Sequence, residues 1–347
     1  MAFLDYTFDS SGGGDDHWPR FPHHSCVLDY LRSFASNFQL APHIKLNRQV
    51  TGLSKKDRWQ VDTLAPDGTI ETSMFDAVII CTGHYSSPRV PKLPGAEHFQ
   101  GEISHSHNYR TPAKFSGKRV ALWGTSASGF DISNEIAAVA DHVHWLGNAF
   151  EQSGTLATGR SVGPSPSHFD EKGLLQTTGG SLEVDSFMYC TGYHYDYPFA
   201  REFITVDDNW VNPLYRDIAS PFDPTLGFIG LPYLVIPFPL FEIQAKWFVR
   251  HLTGQHKLPS QPAMLAEVQA NADLKNQQGL LKRHYHKLGD LQYDYYNLLA
   301  TECHEAELPE WFKLTWRDAQ KARETDSLSF RDALFPVRGP TVCPGKG

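Results

Sequence analysis

The chain has 347 residues, 41% apolar and 20% charged, a globular composition long enough for two domains or one large composite one. Its formal net charge of −8, with lysine and arginine spread thinly, argues against nucleic acid as a main partner, because no basic run exists to neutralise phosphates. Five cysteines, Cys26, Cys81, Cys190, Cys303 and Cys343, are odd in number, far apart and without a C-x-x-C pair, so a disulfide scaffold, a zinc ribbon and a dithiol centre are not expected and a reducing, cytoplasmic setting is.

Residues 1–22 read as irregular, acidic and without the apolar core of a signal peptide. A helix is expected to begin at Ser25, with Ser25 as N-cap and Val27, Leu28, Leu31, Phe34 and Phe38 as its apolar face. Residues 43–70 read as a small β-meander turning at Asp67–Gly68. Val78–Cys81 is continuously apolar, as a strand buried on both faces would be, and a proline-rich linker follows at 86–95.

Phe99, Gly101, His105 and Tyr109 come next, spaced F-x-G-x3-H-x3-Y. His105 and His107 would share a strand face, as metal ligands can, but no acidic or cysteine partner stands nearby. No metal is expected; packing in a linker is the reading preferred. Then a strand at 118–123, a small-residue turn, a helix at 129–140 and a strand at 142–146 form the start of a βαβ unit. The turn is nearly G-x-G-x-x-G, with Gly124 and Gly129 in the outer places and Ser126 in the middle one. In dinucleotide-binding proteins such a turn lays a pyrophosphate on a helix N-terminus. An ordinary strand–turn–helix with small residues has the same local pattern.

Residues 150–172 read as loop and 173–184 as a hairpin around Gly179–Gly180. The chain then echoes itself: C-T-G closes an apolar strand at Cys81–Gly83 and again at Cys190–Gly192, which suggests two related α/β domains. The apolar window 226–241 carries three prolines and is too short for a bilayer span, so it reads as buried strand and loop, with helices at 242–252 and 262–278.

The F-x-G-x3-H-x3-Y stretch just ahead of Gly124–Asp131 resembles the signature of the flavin-containing monooxygenases. The stretches at 21–31, 75–88, 190–199 and 237–247 (PFPLFEIQAKW) fit the same family, so the resemblance covers roughly residues 1–300. Tyr109-Arg110 stands where Baeyer–Villiger monooxygenases usually have W-P. The resemblance implies an α/β, two-dinucleotide-binding flavoprotein fold, with a Rossmann-like NADP domain at 113–198 inserted in a FAD domain made of 1–112 and 199–347. It implies FAD and NADPH as cofactors, O2 as co-substrate, and a C4a-hydroperoxyflavin that oxygenates a small amine or sulfur nucleophile. It allows a homodimer and no transmembrane segment. Gly124, Ser126, Ser128, Gly129, Phe130 and Asp131 are expected to hold the nicotinamide nucleotide. Pro237, Phe238 and Phe241 are expected beside the isoalloxazine, with Gln244 donating to a flavin oxygen. No catalytic residue is assigned: the family's T-N-x-P asparagine precedes a stretch that this chain matches from Met1 to Phe8. The FAD G-x-G-x-x-G unit is therefore expected to be missing, with an inactive remnant that binds nicotinamide nucleotide at most, or a non-enzymatic interaction protein, as alternatives. The basic residue that usually accepts the NADPH 2′-phosphate is absent from 142–150 (HVHWLGNAF), and Arg160 is the candidate to reach in.

Overall fold

The computed structural model describes residues 2–9, 12–15, 17–18, 21–156, 159–325 and 330–331; Met1 and Cys343 lie outside them. The chain forms two compact units, an outer one from residues 1–83 and 196–347 and an inner one from residues 84–195.

The outer unit opens with helix α1 (His24–Asn37). Its N-cap is His23 and not Ser25: His23 has the extended ψ of 151° that a cap needs, and its imidazole accepts the Ser25 N–H. The expected apolar face is also only partly buried. Tyr30 is fully enclosed by Phe8 at 4.2 Å and Tyr6 at 5.7 Å, and Phe34 packs on Phe3 at 4.5 Å, whereas Leu28, Leu31 and Phe38 are exposed. Strands β1 (Gln49–Lys55), β2 (Trp59–Leu64) and β3 (Ile70–Phe75) form the antiparallel meander. Its Asp67–Gly68 turn places Gly68 at φ 85°, which only glycine adopts freely. In β4 (Val78–Ile80) only Ile80 is buried and Cys81 is exposed, so the strand is not covered on both faces; among the described residues it pairs with β18, introduced below.

The inner unit contains β5 (Ser87–Pro88), β6 (Glu102–His105), β7 (Arg119–Trp123), α2 (Ala127–Ala137), β8 (His142–Leu146), β9 (Gly154–Thr155), β10 (Ser161–Gly163), β11 (Pro166–Phe169), β12 (Leu175–Thr177), β13 (Gly180–Leu182), β14 (Ser186–Tyr189) and β15 (Tyr193–His194). Six strands pair in the order β6-β14-β7-β8-β10-β9, all parallel except β9. Every residue of β14 is buried, because one apolar cluster with Ile136, Val143 and Phe115 covers one face and another with Phe169, Leu175 and Leu93 covers the other. The segment 150–172 is not a plain loop: SVG and PSHF are too short and polar to signal strands, yet β10 extends the parallel sheet and β11 joins the β12–β13 hairpin.

The chain returns to the outer unit through β16 (Thr205–Asp207), β17 (Trp210–Asn212) and β18 (Leu226–Phe228), which pairs with β4 in parallel. Helices α3 (Pro237–Leu252), α4 (Gln261–Gln277), α5 (Gln292–Glu302) and α6 (Glu310–Thr325) follow. Helix α3 starts at Pro237 rather than at residue 242, since proline in a first helical turn removes only an N–H that has no intrahelical partner. Ile218, Leu240, Ile243, Trp247, Phe248 and Leu299 form the core of this unit. The echo of the sequence is an echo of structure: β4 and β14 are parallel strands, each followed by C-T-G with the glycine at φ 68° (Gly83) and 84° (Gly192).

A candidate nicotinamide nucleotide site

Strand β7 ends at Trp123, and the chain turns sharply at Gly124, whose φ of 136° disfavours any side chain. A Cβ there would lie 2.1 Å from the carbonyl oxygen of Cys190. The turn is pinned from both sides. Gly124 N–H donates to Leu146 O at 2.8 Å, and Gly124 O accepts the Trp145 Nε1–H at 2.8 Å. Helix α2 begins straight after it, so Gly129 lies in the first turn of the helix rather than at its start. A Cβ on Gly129 would come within 1.8 Å of Gly124 O. Strand and helix can approach this closely only with glycine at both places.

What the turn presents outward is a bare helix N-terminus. Ser126 is the N-cap but makes no capping side-chain bond, and the first turn holds no acidic residue. Ser126, Ala127 and Ser128 are exposed. Their backbone N–H groups and the helix dipole form an anion site of the kind that suits a pyrophosphate. Phe130 and Asp131 are half-buried and lie past the first turn, with the Phe130 ring 6.0 Å from Trp145. Arg160 is 1% exposed; its Nη1 donates to Ser133 Oγ at 2.5 Å and its guanidinium lies 5.1 Å from the Trp145 ring. Burial pushes its pKa down from the ordinary arginine value.

The four signature residues fasten the inner sheet. Phe99 stacks on Phe169 at 4.6 Å, and a Cβ on Gly101 would sit 2.3 Å from Asp185 O, just before β14. His105 Nδ1 accepts the His107 N–H at 3.0 Å, which leaves Nε2 protonated to donate to Gly192 O at 3.1 Å. Burial lowers the His105 pKa, favouring this neutral form. Tyr109 Oη donates to Glu135 Oε2 on α2 at 2.7 Å. Nothing in the sequence pointed to Trp145 or to the pair Arg119–Asp185, in which two guanidinium N–H groups meet the carboxylate at 2.6 and 3.1 Å and hold its pKa down at about 2. The pair ties the first residue of β7 to the residue before β14. Among the described residues no group of three or more His, Cys, Asp and Glu could hold a metal ion.

In the outer unit, Phe238 stacks on Phe3 at 4.9 Å, and the Phe241 ring would touch a Cβ on Gly230 at 3.3 Å. Gln244 is fully buried: its Oε1 accepts the Gly230 N–H at 3.0 Å and its Nε2 donates to Tyr295 Oη at 2.8 Å.

The sequence model of the flavin-binding monooxygenase-like family matches residues 1–149 and 153–324. The chain belongs to this family. The family uses FAD and NADPH. Flavin-containing monooxygenase FMO GS-OX-like 3 of Arabidopsis thaliana is 36% identical over 95% of this chain and 77% of its own length. The solved S-allyl-L-cysteine S-oxygenase of Allium sativum is 35% identical, covering 96% of this chain and 78% of that one, with a TM-score of 0.90. Tmm from a Pelagibacter strain, at 22% identity over 98% of this chain and 78% of its own, has a TM-score of 0.84 and shares the fold. Like them, this flavin monooxygenase chain has a mixed α/β fold with parallel and antiparallel sheets. No helix among its described residues is long and apolar enough to cross a membrane.

The two cofactors fit the residues present unequally. The cradle that a Cβ would fill at Gly124 and Gly129, and the uncapped N-terminus of α2, suit a nicotinamide nucleotide's pyrophosphate. The flavin pyrophosphate needs a second turn of this kind, and among the described residues no other strand passes directly through a tight glycine turn into a helix.

Proposed function

We propose that this chain carries the nicotinamide nucleotide site of a monooxygenase that oxygenates the sulfur of a small thioether. The observation that carries the proposal is the Gly124–Gly129 cradle in front of the bare α2 N-terminus. The choice of sulfur over an amine nitrogen is supported by the 35% identity to a protein named as an S-oxygenase, over 96% of this chain. In this family the redox chemistry with O2 belongs to FAD. The part of this chain is positional. Within the nicotinamide domain, residues 113–198, the N–H groups of Ser126–Ser128 hold the pyrophosphate, and Gly124 and Gly129 keep strand and helix close enough for them to converge. Tyr109 and His105 fix α2 and the end of β6 so that the cradle keeps its shape. In the outer unit Phe238 and Phe241 supply an apolar wall for the isoalloxazine. Gln244 acts by holding Gly230 N–H, and any direct bond to flavin rests on its second amide N–H.

The test supplies the protein with FAD, NADPH and 18O-labelled O2 on a small thioether and reads products by mass spectrometry. A sulfoxide with one 18O supports the proposal; NADPH consumption without sulfoxide overturns it. A second reading, a nucleotide-binding protein without turnover, is favoured by the lack of a second tight strand–glycine–helix turn among the described residues. It expects nucleotide binding with no visible flavin absorbance after gel filtration and no sulfoxide.

A further inference from the structure

NADPH differs from NADH by one phosphate on the adenosine ribose. A site tells them apart with a cation, or against the phosphate with an acid, at the end of the strand that follows the glycine-turn helix. Here that end is fixed beside the turn: Gly124 bonds to Leu146 O at 2.8 Å, and a Cβ on Gly147 would lie 2.7 Å from Thr125 Cγ2. The residues in place are Gly147, Asn148 and Ala149, the last two exposed. Asn148 Oδ1 accepts from Ser165 Oγ at 2.5 Å, and its amide is neutral. The nearest acid along the chain, Glu151, follows Phe150, whose ring packs on Trp145 at 5.0 Å.

No lysine or arginine stands between Arg119 and Arg160. Arg119 begins β7, at the end opposite Gly124, and is held by Asp185 and Glu183. Arg160 reaches not the ribose end but the inner side of α2, where it meets Ser133 and lies over Trp145 and Phe130, at 5.1 and 5.9 Å from their rings. At 1% exposure its guanidinium has no outward face for a phosphate.

We infer that this nicotinamide site does not read the 2′-phosphate and takes NAD(H) as readily as NADP(H), with Asn148 at the position that sets the choice. This rests on the turn at 124–129 being the pyrophosphate site. The test is calorimetric titration of the whole protein with ADP-ribose and with 2′-phospho-ADP-ribose, in the parent and in Asn148→Arg. In the parent the two affinities should agree within about tenfold, the ratio that 1.4 kcal/mol makes. Asn148→Arg should raise the affinity for the phosphorylated ligand relative to that for ADP-ribose by about tenfold, as a charge-assisted bond to phosphate does. A parent preference for either ligand beyond tenfold overturns the inference while the turn assignment stands. An Asn148→Arg protein without that gain overturns the placing of Asn148. Failure of both ligands to bind overturns the turn assignment and the inference together.

Discussion

Replacing Gly129 by alanine adds one carbon at the point where helix α2 crosses strand β7. That carbon would lie 1.8 Å from Gly124 O and 2.9 Å from Trp145 Nε1, the two atoms that already share a 2.8 Å hydrogen bond. To reach ordinary contact the helix must retreat from the turn by about 1.6 Å, and the indole bond is strained or lost. Overpacking of this kind costs about 1–3 kcal/mol and a broken buried hydrogen bond about as much again. A destabilisation of about 3 kcal/mol is therefore expected for Gly129→Ala, read from urea unfolding monitored by Trp fluorescence. The retreat also pulls the N–H groups of Ser126–Ser128 away from their point of convergence. Calorimetry should show the affinity for ADP-ribose falling more than about tenfold, since each 1.4 kcal/mol of lost anion contact is a factor of ten. A Gly129→Ala protein that unfolds at the parent midpoint and binds as tightly would refute the reasoning at its root.

Other changes test the supports of the cradle. Tyr109→Phe keeps the ring but deletes the hydroxyl that donates to Glu135 at 2.7 Å; a loss of about 1 kcal/mol in urea unfolding is expected, and no loss would show that the bond adds nothing. Burial first, then His142 and Arg119, keep His144 neutral, with its pKa pushed down from 6.5 to about 4. Its folded value lies below its unfolded one, so the stability is complete above pH 6.5 and drains away as pH falls toward 4. His144→Gln should flatten the unfolding midpoint against pH in that window; an unchanged slope would count against this origin. In the outer unit, Tyr295→Phe removes the acceptor for Gln244 and the donor to Arg216 O, and should cost about 1–3 kcal/mol in urea unfolding, whereas a neutral result would show that the Gly230–Gln244–Tyr295 chain carries no weight.

The β7–turn–α2–β8 unit was legible because each part has a local cause: an apolar run, a small-residue turn, a 3.6-residue pattern and a second apolar run. What escaped was set by distant neighbours. EISH and SVG have no strand signature of their own and become β6 and β10 because β14 and β8 offer edges to pair with. The F-x-G-x3-H-x3-Y spacing was visible, but its meaning was not: His105 works through a carbonyl at Gly192, far along the chain. Arg160 could be named as a cation near the site, yet only tertiary packing turns it under α2 instead of toward a ribose. Helix α3 was expected only from residue 242, because the prolines before it read as breakers when they occupy the one turn that tolerates them. Trp145 gave no signal, since an indole on a buried strand reads as core until its N–H is seen to meet Gly124.

The central claim is that the α2 N-terminus holds a dinucleotide's pyrophosphate. A crystal structure of the protein grown with NAD+ or NADP+ tests it most directly. Pyrophosphate oxygens within about 3 Å of the backbone nitrogens of Ser126–Ser128, with the adenosine ribose beside Gly147 and Asn148, is the result expected. A nucleotide bound in the same crystals with its pyrophosphate away from this turn would contradict the account.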